Sequence, residues 1–102
     1  MHAHINQFTL KSSGELPREA TDRWRTAIEQ EPGFLGFIAM RDQEHGNQTT
    51  IVTLWESAEA AHPWGENPVF VKIRDSEIQP AISDWTITHA TVEAADLRKT
   101  SV

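Results

Sequence analysis

Three histidines in this sequence have the side-chain chemistry and the spacing of a possible metal site. His2 and His4 are two residues apart, which places both on one face of a strand, and His89 lies in a second predicted strand. Three imidazoles can bind zinc or iron. No carboxylate at a matching spacing supports this interpretation. We therefore interpret His2 as a terminal residue and the other two as surface or interface residues, and we predict no metal.

Two more residues are unusual for their positions. Trp64 lies between Pro63 and Gly65, where regular helical packing is least expected. A tryptophan there either packs at a hinge or lines a cleft, offering a flat apolar face and an indole N–H donor. Asn6 lies in the middle of a predicted strand, where an amide is disfavoured. It either makes a cross-strand hydrogen bond or points into a pocket.

Other catalytic arrangements are excluded or weakly supported by the sequence. The chain has no cysteine, which removes disulfides, thiolate metal sites and cysteine nucleophiles. None of the serines is flanked by the glycines of a nucleophile elbow, and no glycine-rich phosphate loop is present. The remaining tryptophans are predicted to be structural: Trp24 on a helical apolar stripe, and Trp55 and Trp85 at the rim of the sheet.

The hydropathy pattern predicts the elements that carry these residues. Alternating apolar positions predict four strands, and helical spacing predicts two helical regions between them. The predicted strands are residues 3–10, 34–41, 49–55 and 84–92, with a loop at 11–14 after the first. The order is β-α-β-β-α-β, which predicts an α+β, ferredoxin-like fold with a four-stranded antiparallel sheet.

Capping residues set the expected ends of the helical regions. The first helix is predicted to begin at Pro17 and to end at Glu31-Pro32-Gly33. The second is predicted to be capped by Ser57, interrupted at residues 62–65, restarted at Asn67-Pro68 and ended by Pro80.

Apolar residues on both faces of the sheet predict a homodimer. Two helices can cover only one face of four strands, so the other face would be left wet in a monomer. The alternation predicts Phe34, Ile38 and Met40 on one side of the second strand and Leu35 and Phe37 on the other; in the third strand it separates Ile51 and Trp55 from Val52 and Leu54. Packing the uncovered face against a second copy would bury it.

Length and charge limit the remaining possibilities. With 102 residues and a net charge of −6, the chain is one domain whose field repels phosphate, so we predict no nucleic-acid binding and no attraction to an anionic membrane. No apolar run approaches a membrane span, and the N-terminus lacks the pattern of a signal peptide. We expect a cytoplasmic protein with one domain over residues 1–92 and a polar tail over 93–102.

The sequence resembles the antibiotic biosynthesis monooxygenase superfamily of dimeric α/β barrels over residues 3–92. The resemblance rests on the element order, on Glu31-Pro32-Gly33-Phe34-Leu35-Gly36-Phe37, and above all on Thr53-Leu54-Trp55-Glu56-Ser57-Ala58-Glu59-Ala60. It implies two protomers packed sheet to sheet, each with a pocket between helices and sheet. Several members oxidise anthrone-type substrates with dioxygen, without metal or flavin, so no cofactor is expected.

The resemblance also suggests site residues. A haem-degrading branch uses an Asn on the first strand, a Trp on the second helix and a His farther along that helix. Asn6 and Trp64 match the first two, and Arg74 stands where the histidine would be. All three are expected to be catalytic. Arg74 would stabilise a substrate oxyanion if it points inward, and Asn6 and Trp64 are expected to donate to that oxyanion from one cavity. Its apolar walls are expected to be Phe8, Leu10, Phe70 and Ile73, and the candidate bases are His4 and His62.

The resulting functional expectation is a cofactor-independent monooxygenase that acts with dioxygen on an aromatic or polyketide-like small molecule. A ligand-binding or stress-related barrel without catalysis is the first alternative, because a fold does not fix a function. A haem-degrading monooxygenase is the second alternative.

Overall fold

The α+β, ferredoxin-like architecture predicted from the sequence is confirmed by a computed structural model, which describes residues 1–11 and 16–96. The four strands form one antiparallel sheet in the order β2-β3-β1-β4. The elements are β1 (His2–Leu10), α1 (Arg18–Ile28), β2 (Phe34–Arg41), β3 (Gln48–Trp55), α2 (Ala58–Ala61), α3 (Pro68–Ile73) and β4 (Ile82–Thr91).

Several element ends differ from the sequence expectation by one or more residues, including the end of α1 at Ile28, before the predicted Glu31-Pro32-Gly33. Pro17 is the N-terminal cap of α1 and not its first residue, because its ψ of 123° is extended. β4 begins at Ile82, two residues before the predicted start, because Leu10 pairs with Ile82 across a register shift after Thr9. Most of the loop predicted at residues 11–14 lies outside the described residues.

The predicted domain boundary at residue 92 lies directly after the last strand. β4 ends at Thr91, and the N–H of Val92 still bonds the carbonyl of Met1. Residues 97–102 of the predicted tail lie outside the described part of the chain, so the boundary at residue 92 stays a prediction. Within the described ranges, no helix has the length and apolar character needed to cross a membrane.

The helix α1 packs on the sheet through one stripe of side chains. Ala20, Trp24 and Ile28 recur at helical spacing, and all three are buried. Gly33 then turns the chain into β2 with a φ of +81°, which is left-handed and favours glycine. A Cβ on Gly33 would lie only 2.6 Å from the Cβ of Ala60, so this turn also packs closely against α2.

The second helical region is broken where the sequence predicts. The Ser57 side chain accepts the N–H of Ala60 and starts α2, which passes into a 3-10 turn at His62–Glu66. Asn67 restarts the helix by accepting the N–H groups of Val69 and Phe70. Its amide also donates to Glu31 Oε1 at 2.5 Å, which ties this restart to the end of α1. A π turn at Arg74–Ile78 and a 3-10 turn at Gln79–Ala81 follow α3.

The predicted division of β2 into two faces is wrong, because a bulge interrupts the alternation. Phe34 pairs with Trp55, but Gly36 pairs with Leu54, so an extra residue is inserted between them. Phe34 and Phe37 therefore lie on the same face and both pack on the core. The predicted separation of apolar residues in β3 is consistent with the structure, since Ile51 and Trp55 are buried in that core.

The face opposite the helices carries exposed apolar side chains. Ile38 and Met40 are 40% and 48% exposed, and register places them beside Val52 and Thr50, away from the core. This agrees with the observation that motivates the dimer, but one chain alone does not test it, so the homodimer stays a prediction.

Candidate functional site

A cavity of about 590 Å³ lies between the sheet and the broken helical region. Its walls come from β1, β3 and β4 on one side and from residues 58–70 on the other. The lining residues are His2, His4, Asn6, Thr53, Ala58, His62, Trp64, Gly65, Glu66, Phe70, Ile87 and His89. The interruption of the helix at residues 62–66 thus borders the cavity, which is a direct consequence of the Pro63 and Gly65 positions.

Asn6 is buried at the floor of this cavity and connects three strands. Its Nδ2 donates to the carbonyl of Ile51 in β3 at 3.2 Å, and its Oδ1 accepts from Trp85 Nε1 in β4 at 3.2 Å. Both interpretations of this residue from the sequence therefore apply, since it makes cross-strand hydrogen bonds and also lines the cavity. One N–H of the amide remains uncommitted, because Nδ2 carries two hydrogens.

Trp64 lies on the opposite wall with its ring buried. Only 4% of the residue is exposed, and its ring centroid is 4.9 Å from that of Phe70. Its Nε1 is buried and has no hydrogen-bond partner within the described residues. A buried donor without an acceptor costs about 1–3 kcal/mol, so an oxygen atom brought near it would be favoured.

Two other buried tryptophans, Trp55 and Trp24, provide a comparison for Trp64. Trp55 Nε1 donates to Thr53 Oγ1 at 3.0 Å, and both residues are fully buried. Trp24 is 1% exposed and packs edge to face on Phe8, and its Nε1 also lacks a partner among the described residues. Trp24 does not line the cavity, which distinguishes it from Trp64.

Three histidines lie together at one end of the cavity. His4 pairs directly with His89 across β1 and β4, and His2 follows His4 on the same face. The ring centroids are 4.4 Å apart for His4 and His89 and 5.0 Å apart for His2 and His4. The pKa of His4 is lowered to about 4, first by burial and then by the neighbouring imidazoles of His89 and His2. His4 is therefore a neutral imidazole near pH 7.

The sequence-predicted site residues separate into two groups. Asn6, Trp64 and Phe70 come together at the cavity. Phe8, Leu10 and Ile73 are buried in the hydrophobic core and do not line it. Phe8 packs edge to face on Trp24 of α1, and Ile73 is itself part of α3, whereas the cavity lies at the end of the sheet where His2 and His89 lie. The role of these three residues as substrate-binding walls stays a prediction.

Arg74, the third predicted catalytic residue, lies outside the lining of the cavity. It belongs to the π turn after α3, and its Nε donates to Asp75 Oδ1 at 3.0 Å. Residues 68–78, which form α3 and this turn, contain no histidine. The element that would supply a haem ligand in the related branch thus presents no imidazole.

Sequence reasoning missed several cavity residues. His2, His4 and His89 were interpreted as terminal, surface or interface side chains, yet all three line the cavity. The sequence contains part of the evidence for this histidine cluster, because His2 and His4 share a strand face. The register that brings His89 opposite His4 could not be deduced from the spacing. Ile87 is paired with Asn6 and Thr53 with His4, and neither Ile87 nor Thr53 carries a sequence signal of its own.

Comparison with known proteins identifies the family. The family model described as antibiotic biosynthesis monooxygenase matches residues 1–76. A structure provisionally assigned to the same group, from Nitrosomonas europaea, superimposes with a TM-score of 0.81 at 14% identity, covering 92% of this chain and all of the other. SnoaB, a cofactor-independent oxygenase from Streptomyces nogalater, gives a TM-score of 0.78 at 17% identity, covering 92% of this chain and 94% of SnoaB.

A local sequence similarity points to a further relative. The mycobilin-producing heme oxygenase of Mycobacterium tuberculosis is 43% identical over 42 residues, which is 41% of this chain and 40% of that protein. The match thus covers about two fifths of the length of the curated relative. The two structural neighbours, at 14% and 17% identity, establish the shared fold.

Proposed function

This chain belongs to the antibiotic biosynthesis monooxygenase family, and we propose that it is a cofactor-independent monooxygenase that oxidises a small aromatic substrate with dioxygen. The substrate would bind in the cavity between the sheet and residues 58–70. One observation carries the proposal: Trp64, whose buried indole N–H has no partner among the described residues, lines the same cavity as Asn6. SnoaB, described as a cofactor-independent oxygenase, has the same fold.

The cavity has the composition that a flat, electron-rich ligand requires. Trp64, Phe70 and Ile87 supply apolar surface, and the polar groups of Asn6 and Thr53 converge from the sheet. A mostly apolar pocket with a few placed donors is typical of small-molecule sites. An N–H of Asn6 and the indole N–H of Trp64 would stabilise an oxyanion that forms when the substrate loses a proton.

The reaction balances without an external reductant. In an anthrone-type substrate, a methylene carbon loses its two hydrogens and becomes a carbonyl. One oxygen atom of O₂ enters that carbonyl, and the other leaves as water with the two hydrogens. The four electrons that reduce O₂ all come from the substrate carbon. The contribution expected of the protein is to hold the substrate anion close to O₂ and to stabilise its charge.

The proton acceptor is assigned from the histidines that line the cavity. His4 is neutral, but its pKa of about 4 makes it a weak base near pH 7. His62 lies on the exposed rim of the same cavity, free of that histidine cluster, and is the better candidate.

The test is oxygen uptake with an anthrone in the presence of EDTA. We expect consumption of one O₂ per anthrone converted to the anthraquinone, at a rate well above autoxidation. Trp64→Phe should lower kcat by about 10²-fold, the typical effect of removing one preorganised donor. No enzyme-dependent uptake with a panel of anthrones and naphthols would contradict the proposal and would favour the non-catalytic ligand-binding barrel.

Trp24→Phe is the matched control. Trp24 is also a buried indole without a hydrogen-bond partner in the described residues, but it does not line the cavity. Both substitutions remove the same atoms from a packed environment, so both should lower the melting temperature to a similar extent. Only Trp64→Phe should lower activity per folded molecule. Equal losses of activity in the two variants would indicate that Trp64 acts through packing alone.

Haem degradation is the second candidate function. The 43% identity to part of the mycobacterial heme oxygenase favours it. The resemblance to the haem-degrading branch also favours it, because Asn6 and Trp64 match two of the three site residues of that branch. The absence of histidine from residues 68–78 argues against it. A haem titration separates the two: a stoichiometric Soret shift would support haem chemistry, and weak, unsaturated binding would support the oxygenase proposal.

The assembly and the location are part of the same proposal. We propose a homodimer that packs sheet to sheet through the face bearing Ile38 and Met40, and a cytoplasmic location. The exposed apolar face supports the first. The absence of cysteine is compatible with the second.

A further inference from the structure

We propose that His2, His4 and His89 form a binding site for a divalent transition-metal ion, such as Zn²⁺, at the end of the cavity. One potential ligand nitrogen from each of these imidazoles lies within 4.8 Å of the other two. This proposal does not depend on the oxygenase proposal, which requires no metal.

The backbone fixes the positions of the three ligands. His4 and His89 are directly paired on β1 and β4, and His2 precedes His4 by two residues on the same face. Directly opposed residues in an antiparallel pair have Cβ atoms about 4.5–5.5 Å apart. Two adjacent strands of one sheet therefore hold all three side chains on the same side, without any contribution from a loop.

Little movement is needed to reach coordination geometry. Zinc binds imidazole nitrogen at about 2.0–2.1 Å, which in a tetrahedral site places the nitrogens about 3.3 Å apart. The largest separation here is 4.8 Å, so the nitrogens must close by roughly 1.5 Å or less. His2 is half-buried and His89 is exposed, so both rings have room for this rotation.

The packing of the three rings is itself an argument for a ligand. The ring centroids are 4.4 Å apart for His4 and His89, 5.0 Å for His2 and His4, and 5.9 Å for His2 and His89, so all three rings are within reach of one small ion. Neutral imidazole is the form that binds metal. The site lacks thiolate, and imidazole suits zinc, copper, iron and nickel, which defines the class of ion.

Three histidine ligands would leave one coordination position of the metal ion for another ligand. Three protein ligands are typical of sites that keep a fourth position for water or a small molecule. Because all three histidines line the cavity, a fourth ligand could reach the ion from the cavity. The predicted ligand there is an oxygen donor: water in the resting protein, or an oxygen of a molecule held in the cavity.

The test uses the whole chain without an affinity tag, stripped with EDTA and dialysed. Co²⁺ titration followed by visible absorption, and Zn²⁺ titration followed by calorimetry, should each give one ion per chain. The cobalt spectrum should show the intense bands of four- or five-coordination. His4→Gln and His89→Gln should each weaken Zn²⁺ binding by at least about tenfold, the size of effect seen when metal sites lose a supporting group.

His62→Gln is the control, because His62 lines the same cavity outside the cluster. Its Zn²⁺ affinity should stay within twofold of that of the unmodified chain. The proposal is overturned if no ion binds, or if His62→Gln weakens binding as much as His89→Gln. Since His89 is exposed, His89→Gln is expected to fold, and its melting temperature checks this. The readout is binding, so failure here is distinct from failure of oxygen uptake.

Discussion

Asn6 illustrates how one side chain can serve both the sheet and the cavity. Its amide is bonded to β3 through Ile51 and to β4 through Trp85, so it is held in one orientation before any ligand arrives. A preorganised amide loses little entropy when it donates its remaining N–H. The same bonds make Asn6 structurally important, in agreement with the cross-strand hydrogen bond that the sequence suggests.

Replacing Asn6 with alanine should therefore reduce stability as well as turnover. Asn6→Ala leaves the Trp85 indole N–H without its acceptor and opens a small void, so we expect the free energy of unfolding to fall by about 1–3 kcal/mol. Urea denaturation measures this. Thr26→Ala, at an exposed position of α1 away from the proposed dimer face, should change stability by less than about 0.5 kcal/mol. An unchanged Asn6→Ala stability would contradict the hydrogen bonds described here.

Arg74 is the residue at which resemblance and geometry diverge. The side chain pairs with Asp75 on the surface and is absent from the cavity lining. A surface ion pair contributes about 0–1 kcal/mol, so Arg74→Ala should hardly change the melting temperature. We expect kcat for anthrone oxidation to stay within about threefold. A loss near 10²-fold, the size expected for a catalytic donor, would instead support the catalytic role suggested by the resemblance.

At the scale of the elements, the turn from α1 to β2 packs closely against α2. Gly33→Ala should be strongly destabilising, by about 2–4 kcal/mol, because it combines a left-handed backbone with overpacking. The added Cβ would lie 2.6 Å from Ala60 Cβ. Gly46→Ala is the control, since a Cβ there meets nothing within 4 Å. Thermal denaturation of the two variants should give clearly different midpoints; similar midpoints would contradict the close packing of this turn.

The hairpin between β2 and β3 depends on one carboxylate. Asp42 Oδ1 accepts the N–H groups of His45 and Glu44, and these bonds lower the pKa of Asp42. A lowered carboxylate pKa contributes stability above the unfolded pKa, which is lost as the pH falls through the folded value. Asp42→Ala should thus lower the melting temperature at pH 7, by roughly 2–5 °C, and have little effect near pH 2. A pH-independent difference would contradict this assignment.

The sequence predicts the features of an element that depend on neighbouring residues in the chain. It does not predict the features that depend on which strand lies opposite. The broken helix at residues 62–66 follows from Pro63 and Gly65, and the cap at Asn67 follows from the proline after it. The bulge in β2 and the early start of β4 depend on which strand lies opposite, and no period of the sequence reports that.

The same distinction explains the candidate site. Asn6 and Trp64 were recognised because each residue type is unusual for its own position. The histidine cluster was not recognised, because it exists only when β1 and β4 are aligned with His4 opposite His89. Phe8 and Leu10 show the same limit: alternation places them on the same face as Asn6, but it does not report that they lie in the hydrophobic core and outside the cavity lining.

At the scale of the whole molecule, the helices leave the second face of the sheet uncovered. The helices bury one face, and the other presents Ile38, Met40 and half-buried Val52 and Leu54. Contiguous apolar surface of this kind marks an interaction site on a soluble chain. A second copy presents the same surface, so a two-fold axis would pair the two faces with matched chemistry.

The dimer is tested by charging that face. Sedimentation at micromolar concentration should give about twice the 11.5 kDa chain mass. Ile38→Glu, which places a carboxylate on the face, should shift the species to a monomer, because burying an unpaired charge in an apolar interface is costly. Val69→Glu is the matched control: Val69 is 50% exposed, like Ile38 at 40%, but lies in α3 on the helical side. It should leave the dimer intact. A folded monomer of the unmodified chain, or equal dissociation in both variants, would show that the sheet face is not the dimer interface.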